Sequence, residues 1–436
     1  MIRVEEKFQN FLEEGNLSCH PHQMYGLKWL FDKEHYHHPV LKKNGGVLAD
    51  EMGLGKTIML LGLMAVNKLP STLIVVPASI LNQWKTKITE LLGIVPVVVS
   101  GPGKNSLDLD NEIILTTFGN LNTSNLLEKQ YDRLIIDEAH HLKNKNTVAY
   151  RSASAIKSKI TWLISGTPIQ NSLNDLYTLG SLLNLQKHEI LMNLEIFKKE
   201  AVLHRKKIDA NIHLPEKKIF NVEVEWSCDD ERSIIEALSR RTTRDVLVQM
   251  IRQRQMCIVP TMVPNTVCET FNIPEKTFNN MLGLTTKIDT VVEKLKSNAS
   301  NGKRKLVFCH FRKEMDQIVE KMKRSEEYSA KNIVVIDGRM SATVRASAFT
   351  AVETEGDVFV LQISTCCEGL NLQMFSEVYF VSPHWNPCVE EQAIGRCHRI
   401  GQQQEVHVYR FKMKNSIENY ITSTQERKIE LRAGMF

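Results

Sequence analysis

The run Asp50-Glu51-Met52-Gly53-Leu54-Gly55-Lys56-Thr57 constrains this chain more than any other stretch. Apolar residues 46–49 precede it and apolar residues 58–63 follow it. That order reads as strand, tight loop, helix. A glycine-rich loop in this place lets backbone N–H groups wrap a polyphosphate, and the helix N-terminus adds positive potential. Lys56 is expected to reach the β- and γ-phosphates, and Thr57 to offer its hydroxyl to magnesium. The usual pattern is G-x-x-x-x-G-K-[ST]. Here Asp50 stands where the first glycine belongs.

Strand-like runs alternate with helical stretches around this loop. The candidates in the first part are residues 46–49, 72–76, 95–99, 112–115, 133–136 and 161–164. Each is short, apolar and followed by polar or small residues. The alternation predicts a parallel sheet with helices on both faces. Functional residues then fall just past the strands, at the carboxyl edge of the sheet. Between residues 186 and 284 the texture changes to charged helical stretches, 195–207, 229–238 and 240–254, with Pro215, Pro260, Pro264 and Pro274 among them. This part reads as a helical insertion and connector. A second alternating block follows, with strands at 305–309, 332–336, 358–363, 377–381 and 405–410. The expected division is a sheet domain over 1–185, a link over 186–284 and a second sheet domain over 285–436.

Bulk properties exclude several classes. A chain of 436 residues is long enough for two or three domains. No apolar run approaches the length of a membrane span, and the charged start MIRVEEKFQN is not a secretory signal. A net charge of +5, from 55 basic and 50 acidic residues, permits a local basic groove and no more. The nine cysteines form no C-x-x-C pair, which argues against a structural zinc site and for reduced thiols. His35, His37 and His38 cluster without ligand spacing and read as a polar loop. Lys303-Arg304-Lys305 reads as a strand entry rather than a nuclear signal.

Two further constellations carry chemistry. Ile135-Ile136-Asp137-Glu138-Ala139-His140 ends a strand in two acids. Asp137 is suited to hold magnesium, and Glu138 to accept a proton from an attacking water. Near the other end, Gln392, Arg396 and Arg399 lie in EEQAIGRCHRIGQ. Two arginines three apart share a face if the helix continues through both. An arginine set against a γ-phosphate neutralises developing charge, an effect of about 10³–10⁵ in rate. Upstream, Gln23 has an amide suited to an adenine edge.

Taken in order, LADEMGLGKT, VVPASILNQW, IIDEAHHLKN, LISGTPIQNSLNDLY, KLVFCHF and WNPCVEEQAIGRCHRIGQ resemble the motifs of the Swi/Snf-type ATPases, the chromatin-remodelling branch of helicase superfamily II. Weaker echoes lie at 214–217 and 251–255. The resemblance implies two RecA-like lobes with ATP and Mg2+ bound between them. Gln23, the whole loop from Asp50 through Glu51, Met52, Gly53, Leu54 and Gly55 to Lys56 and Thr57, and Asp137 would serve from one side. Gly369, Gln392, Arg396 and Arg399 would serve from the other. Double-stranded DNA is the implied partner, contacted through its backbone by Ser79, Asn82, Gln83, Thr116, Thr117, Thr365 and Trp385, for which loop capping is the competing role. Ser165, Gly166 and Thr167 would couple nucleotide state to movement. Chromatin, polymerase or other DNA-bound proteins are further partners of such motors. The implied location is intracellular: the nucleus of a eukaryote, or a replication site or virion for a virus.

Two departures stand out. Cys366 and Cys367 hold places where relatives usually carry glycines, ahead of Glu368 and Gly369. The family's usual insertion in the second lobe is nearly absent between Ile336 and Val358. Two rival readings remain beside a duplex-DNA translocase: a strand-separating helicase on DNA or RNA, which the Asp-Glu-Ala-His string invites, and a non-catalytic scaffold.

Overall fold

Strands Asn44–Leu48 (β1), Thr72–Val76 (β2), Val97–Val99 (β3), Ile113–Thr117 (β4), Gln130–Ile136 (β5), Lys157–Ile164 (β6) and Val202–Leu203 (β7) are mostly apolar on both faces. Such strands need cover on both sides. In the computed structural model they form one sheet in the order β3-β4-β2-β5-β6-β1-β7, parallel throughout. The model describes residues 2–36, 41–167, 172–210, 212–239, 246–264, 266, 273–340, 344, 347–348, 356–363 and 372–433. Alternate residues feed two cores. Ile74, Val76, Ile135, Trp162 and Ile164 meet helices Ile2–Glu14, Pro21–His35, Lys56–Val66 and Leu81–Leu92. Leu73, Val75, Leu134, Ile136 and Leu163 meet helices Val148–Ala155 and Leu173–Leu182.

A second sheet joins Lys217–Val224 (β8), Lys305–Cys309 (β9), Ile333–Ile336 (β10), Val358–Gln362 (β11), Glu377–Phe380 (β12) and Val406–Met413 (β13). Its order is β10-β11-β9-β12-β13-β8, again all parallel. Val307, Val358 and Val360 pack with helices Asp229–Ser239, Val246–Ile258, Thr286–Ser297 and Arg312–Lys323 on one face. Leu306, Phe359 and Leu361 pack with helix Pro387–Cys397 on the other.

The chain divides into two compact units, one built on Met1–His213 and one on Leu214–Glu430. The stretch that the sequence marks as a connector is shared between them. Its first part supplies β7 to the first sheet, and its second part supplies β8 and core helices to the second. Both strands escape a pattern search for physical reasons. β7 has only two residues, and β8 is an edge strand with one face open to water, so Lys217, Glu223 and Asn221 interrupt its apolar run.

One buried ion pair fastens the first unit. Arg133 on β5 and Glu34 near the end of helix Pro21–His35 are 1% and 0% exposed at their side chains. Arg133 donates from Nε and Nη2 to the two Glu34 oxygens, each at 2.6 Å. Glu34 also accepts from Trp162 Nε1 at 2.9 Å and from Asn67 Nδ2 at 2.6 Å. A fork-to-carboxylate pair with its remaining lone pairs satisfied offsets the desolvation that burial imposes. Arg133→Met leaves the Glu34 charge without its counter-ion. It should lower the stability of the first unit by about 3–5 kcal/mol in urea denaturation. A loss below about 1 kcal/mol would mean that Trp162 and Asn67 suffice to hold the carboxylate.

Candidate nucleotide-binding site

β5, β6 and β1 lie consecutively within the first sheet, so the segments that follow them emerge side by side at its carboxyl end. After β1 the chain turns through Gly53 (φ +94°) and Gly55 (φ +81°) into helix Lys56–Val66. Gly55 is required twice over. Its backbone is left-handed, and a Cβ there would stand 2.2 Å from Gln23 Nε2. Lys56 opens the helix and donates to the carbonyls of Asp50 at 2.6 Å and Glu51 at 3.4 Å. Thr57 follows it on the first turn. The loop therefore presents a helix N-terminus, a lysine and a hydroxyl together, the donor set a polyphosphate needs.

Gln23 sits over this loop, 6% exposed, and its Oε1 is buried with no hydrogen-bond partner among the described residues. A buried acceptor left open is costly in a finished core and fits an incoming donor such as an adenine amine. The neighbouring His22 holds the loop from the same helix, with Nε2 3.1 Å from the Leu54 carbonyl.

After β5 come the two acids. Asp137 is anchored by Trp84 Nε1 at 2.9 Å and by the Glu138 backbone N–H at 2.9 Å. Burial, then the adjacent Glu138, raise the Asp137 pKa, while Trp84, the Glu138 backbone and Lys56 oppose the rise. A carboxylate so placed is suited to a cation. Glu138 has a left-handed backbone (φ +50°), a conformation that costs a non-glycine residue about 1–3 kcal/mol and is concentrated at functional sites. His140 links this segment to the next: its Nδ1 lies 3.3 Å from Glu138 Oε2 and 3.2 Å from Ser165 Oγ. Ser165 Oγ accepts from the Thr167 N–H at 3.2 Å. A Cβ on Gly166 would stand 3.4 Å from Lys56 Nζ. Ser165, Gly166 and Thr167 thus lie against the phosphate loop and the acids together.

No group of three or more His, Cys, Asp or Glu side chains among the described residues could hold a metal ion alone. Asp137 follows β5 and Thr57 stands on the first turn of helix Lys56–Val66; Mg2+ needs only one or two protein oxygens, its shell being filled from water and phosphate.

Other expected residues fare differently. Ser79, Asn82 and Gln83 are exposed just beyond β2. Thr116 is corrected: it is fully buried and donates its hydroxyl to the Val99 carbonyl at 2.9 Å, so it pairs strands rather than meeting DNA. Thr117, 7% exposed at the end of β4, accepts from Asn120. In the second unit, Gln392 and Arg396 lie on helix Pro387–Cys397. The shared helical face expected for Arg396 and Arg399 does not form, because the helix ends at Cys397. Burial, then the charge of Arg396, lower the Arg399 pKa. Gln402 shapes this end by donating to the carbonyls of Gln373, Phe375 and Cys397. Trp385 is half-buried, edge-on to Tyr420 at 6.1 Å, with its carbonyl taking Lys428 Nζ at 3.0 Å. Thr365 and Gly369, with Cys366 and Cys367, lie outside the described residues.

Sequence reasoning missed Trp84 as the Asp137 anchor and Arg205 altogether. Arg205 donates from Nε and Nη2 to Asp50 at 3.0 and 2.5 Å, which accounts for an acid in the first-glycine place. The available signal was Asp50 itself, since an acid at the end of a buried strand demands a cation.

The SNF2-related domain model matches residues 22–305, and the helicase conserved C-terminal domain model matches residues 286–401. A probable global transactivator of Orgyia pseudotsugata multicapsid polyhedrosis virus is 27% identical, covering 94% of this chain and 89% of that protein. An uncharacterized ATP-dependent helicase of Mycoplasma pneumoniae is 28% identical over 95% of this chain and 42% of its own length. An ISWI chromatin-remodeling complex ATPase of Saccharomyces cerevisiae is 28% identical over 97% of this chain and 41% of its own length. The chain thus spans most of the viral relative and under half of the other two. The SWI2/SNF2 ATPase core of Sulfolobus solfataricus, solved in complex with dsDNA, aligns at 21% identity and a TM-score of 0.44, covering 93% of this chain and 90% of that one. With the family model covering well over half of its residues, the chain belongs to the SNF2-related family, the Swi/Snf-like ATPases.

Proposed function

We propose that this protein hydrolyses ATP to translocate along double-stranded DNA, remodelling DNA or the proteins bound to it. The observation that carries the reading is the meeting of Lys56, Asp137, Glu138 and Ser165–Thr167 at one sheet edge beneath the open acceptor of Gln23. In this reading Gln23 takes the adenine edge. The 50–57 loop and Lys56 cradle the phosphates, and Glu138 takes a proton from the attacking water. Asp137 and Thr57 would hold Mg2+, which would supply charge neutralisation to the phosphates. By the family's pattern, Arg396 and Arg399 would supply the arginine charge that phosphoryl transfer needs. Ser79, Asn82, Gln83, Thr117, Thr365 and Trp385 are the proposed backbone contacts to DNA, so binding is insensitive to sequence and weakens as salt rises. A chromatin-remodeling ATPase and a viral transactivator among the relatives support a chromatin or viral setting; chromatin or a polymerase are the partners that fit such a motor.

Three stimulants, duplex DNA, single-stranded DNA and RNA, added separately to an ATPase assay test the substrate. Duplex DNA should raise turnover most, with little strand displacement on a forked duplex. Stimulation by RNA alone would replace this reading with an RNA helicase. The chemistry has its own test. Lys56→Ala and Glu138→Gln should each lower ATP turnover by about 10³-fold or more, the scale of a transition-state contact plus a proton acceptor. Wild-type rates in either variant would remove that residue from the role given it, and an absence of turnover in the wild type itself would favour a scaffold.

A further inference from the structure

The Asp50–Arg205 pair does more than neutralise a charge. The same guanidinium donates from Nη1 to the His22 carbonyl at 2.5 Å and lies over the Tyr25 ring with Cζ 5.5 Å from its centre. Asp50 is fully buried, and the Arg205 side chain is 13% exposed. One planar group thus binds the start of the phosphate loop and the turn of helix Pro21–His35 that carries Gln23.

The backbone around Arg205 is fixed to the same loop. Ala49 N–H donates to the Leu203 carbonyl at 2.7 Å, and Glu51 N–H donates to the Arg205 carbonyl at 2.9 Å. Lys207 N–H donates to Glu51 Oε2 at 2.8 Å. Residues 203–207 therefore run as a rail beside β1 and the loop that follows it. Room for the guanidinium comes from Gly26. A Cβ there would stand 2.7 Å from Arg205 Nη2 and 2.3 Å from Met59 Sδ.

We propose that Arg205 is a positioning residue for nucleotide recognition, locking the adenine-side helix to the phosphate loop so that Gln23 and Lys56 meet one ligand at a set spacing. The inference rests on the ATP-site reading given above. An arginine suits the task because its fork binds a carboxylate with two donors and has a third left for the carbonyl. Lysine carries the charge but not the fork. With the lock released, base and phosphates are no longer held to a single spacing. Base discrimination then fades, while chemistry at saturating ATP, which belongs to Lys56, Asp137 and Glu138, is largely kept.

The test titrates the full chain with a fluorescent ATP analogue and a fluorescent GTP analogue, alongside steady-state kinetics and thermal melting. Arg205→Met and Gly26→Ala should each raise the ATP Kd by about tenfold or more, move the GTP Kd less, and raise KM far more than they lower kcat. Arg205→Lys should fall between them and wild type. The double variant Asp50→Asn/Arg205→Met removes both buried charges. It should regain melting temperature but not ATP affinity, since the His22 carbonyl stays untied. Wild-type affinity and base preference in Arg205→Lys and Gly26→Ala would overturn the proposal, as would recovery of ATP affinity in the double variant. If Arg205→Met does not fold, those other variants decide. Equal ATP affinity in wild type and Lys56→Ala would instead sink the ATP-site reading itself.

Discussion

A carboxylate inside an α/β unit costs several kcal/mol unless a cation meets it, and the first unit is organised by two such meetings. Glu34 with Arg133 fastens helix Pro21–His35 to the middle of the sheet. Asp50 with Arg205 fastens the helix's opening turn to the phosphate loop. The helix that offers Gln23 is thus held near its end by an ion pair and at its opening turn by a hydrogen bond from the guanidinium that pairs with Asp50. The apolar faces of the strands supply the bulk of the driving force but not this register, because hydrophobic contact is non-directional.

Asp137 is the contrast. It shares the carboxyl edge of the sheet, yet its near polar partners are an indole N–H and a backbone N–H rather than a guanidinium. Burial and Glu138 therefore keep its pKa raised, where Lys56 only partly relieves it. Glu34 and Asp50 are each given a fixed counter-charge, whereas Asp137 is oriented by two neutral donors. The His140–Ser165 contact then ties that acid segment to the strand next door. The phosphate loop, the acids and Ser165–Thr167 therefore lie in one hydrogen-bonded patch of the first unit.

Much of this was legible before any coordinates. Strands of alternating packing, such as 72–76 and 305–309, declare themselves because their residues are apolar on both faces and bounded by polar ends. The glycines at 53 and 55 announce left-handed turns because other residues resist positive φ. β7 and β8 were not legible: one is held by two residues of pairing, and the other shows the mixed pattern of an edge. The end of helix Pro387–Cys397 was also hidden, since nothing in GRCHRIGQ breaks a helix before Gly401, and tertiary bonds from Gln402 hold the turn. Thr116 looked like a surface hydroxyl because a residue type does not say which side of a strand edge it occupies.

The order of residues by itself determined the two parallel sheets, the phosphate loop, the acid pair and the arginine segment, because each depends on local periodicity or on contiguous groups. Tertiary structure alone decided which cation answers Asp50 and Glu34, which donor orients Asp137, and which glycine makes room for Arg205. Those partners come from positions as far apart as 155 residues in the Asp50–Arg205 pair. A buried charge dictates that a partner must exist, but its Coulomb and hydrogen-bond requirements are met in space, and no local pattern along the chain records the address.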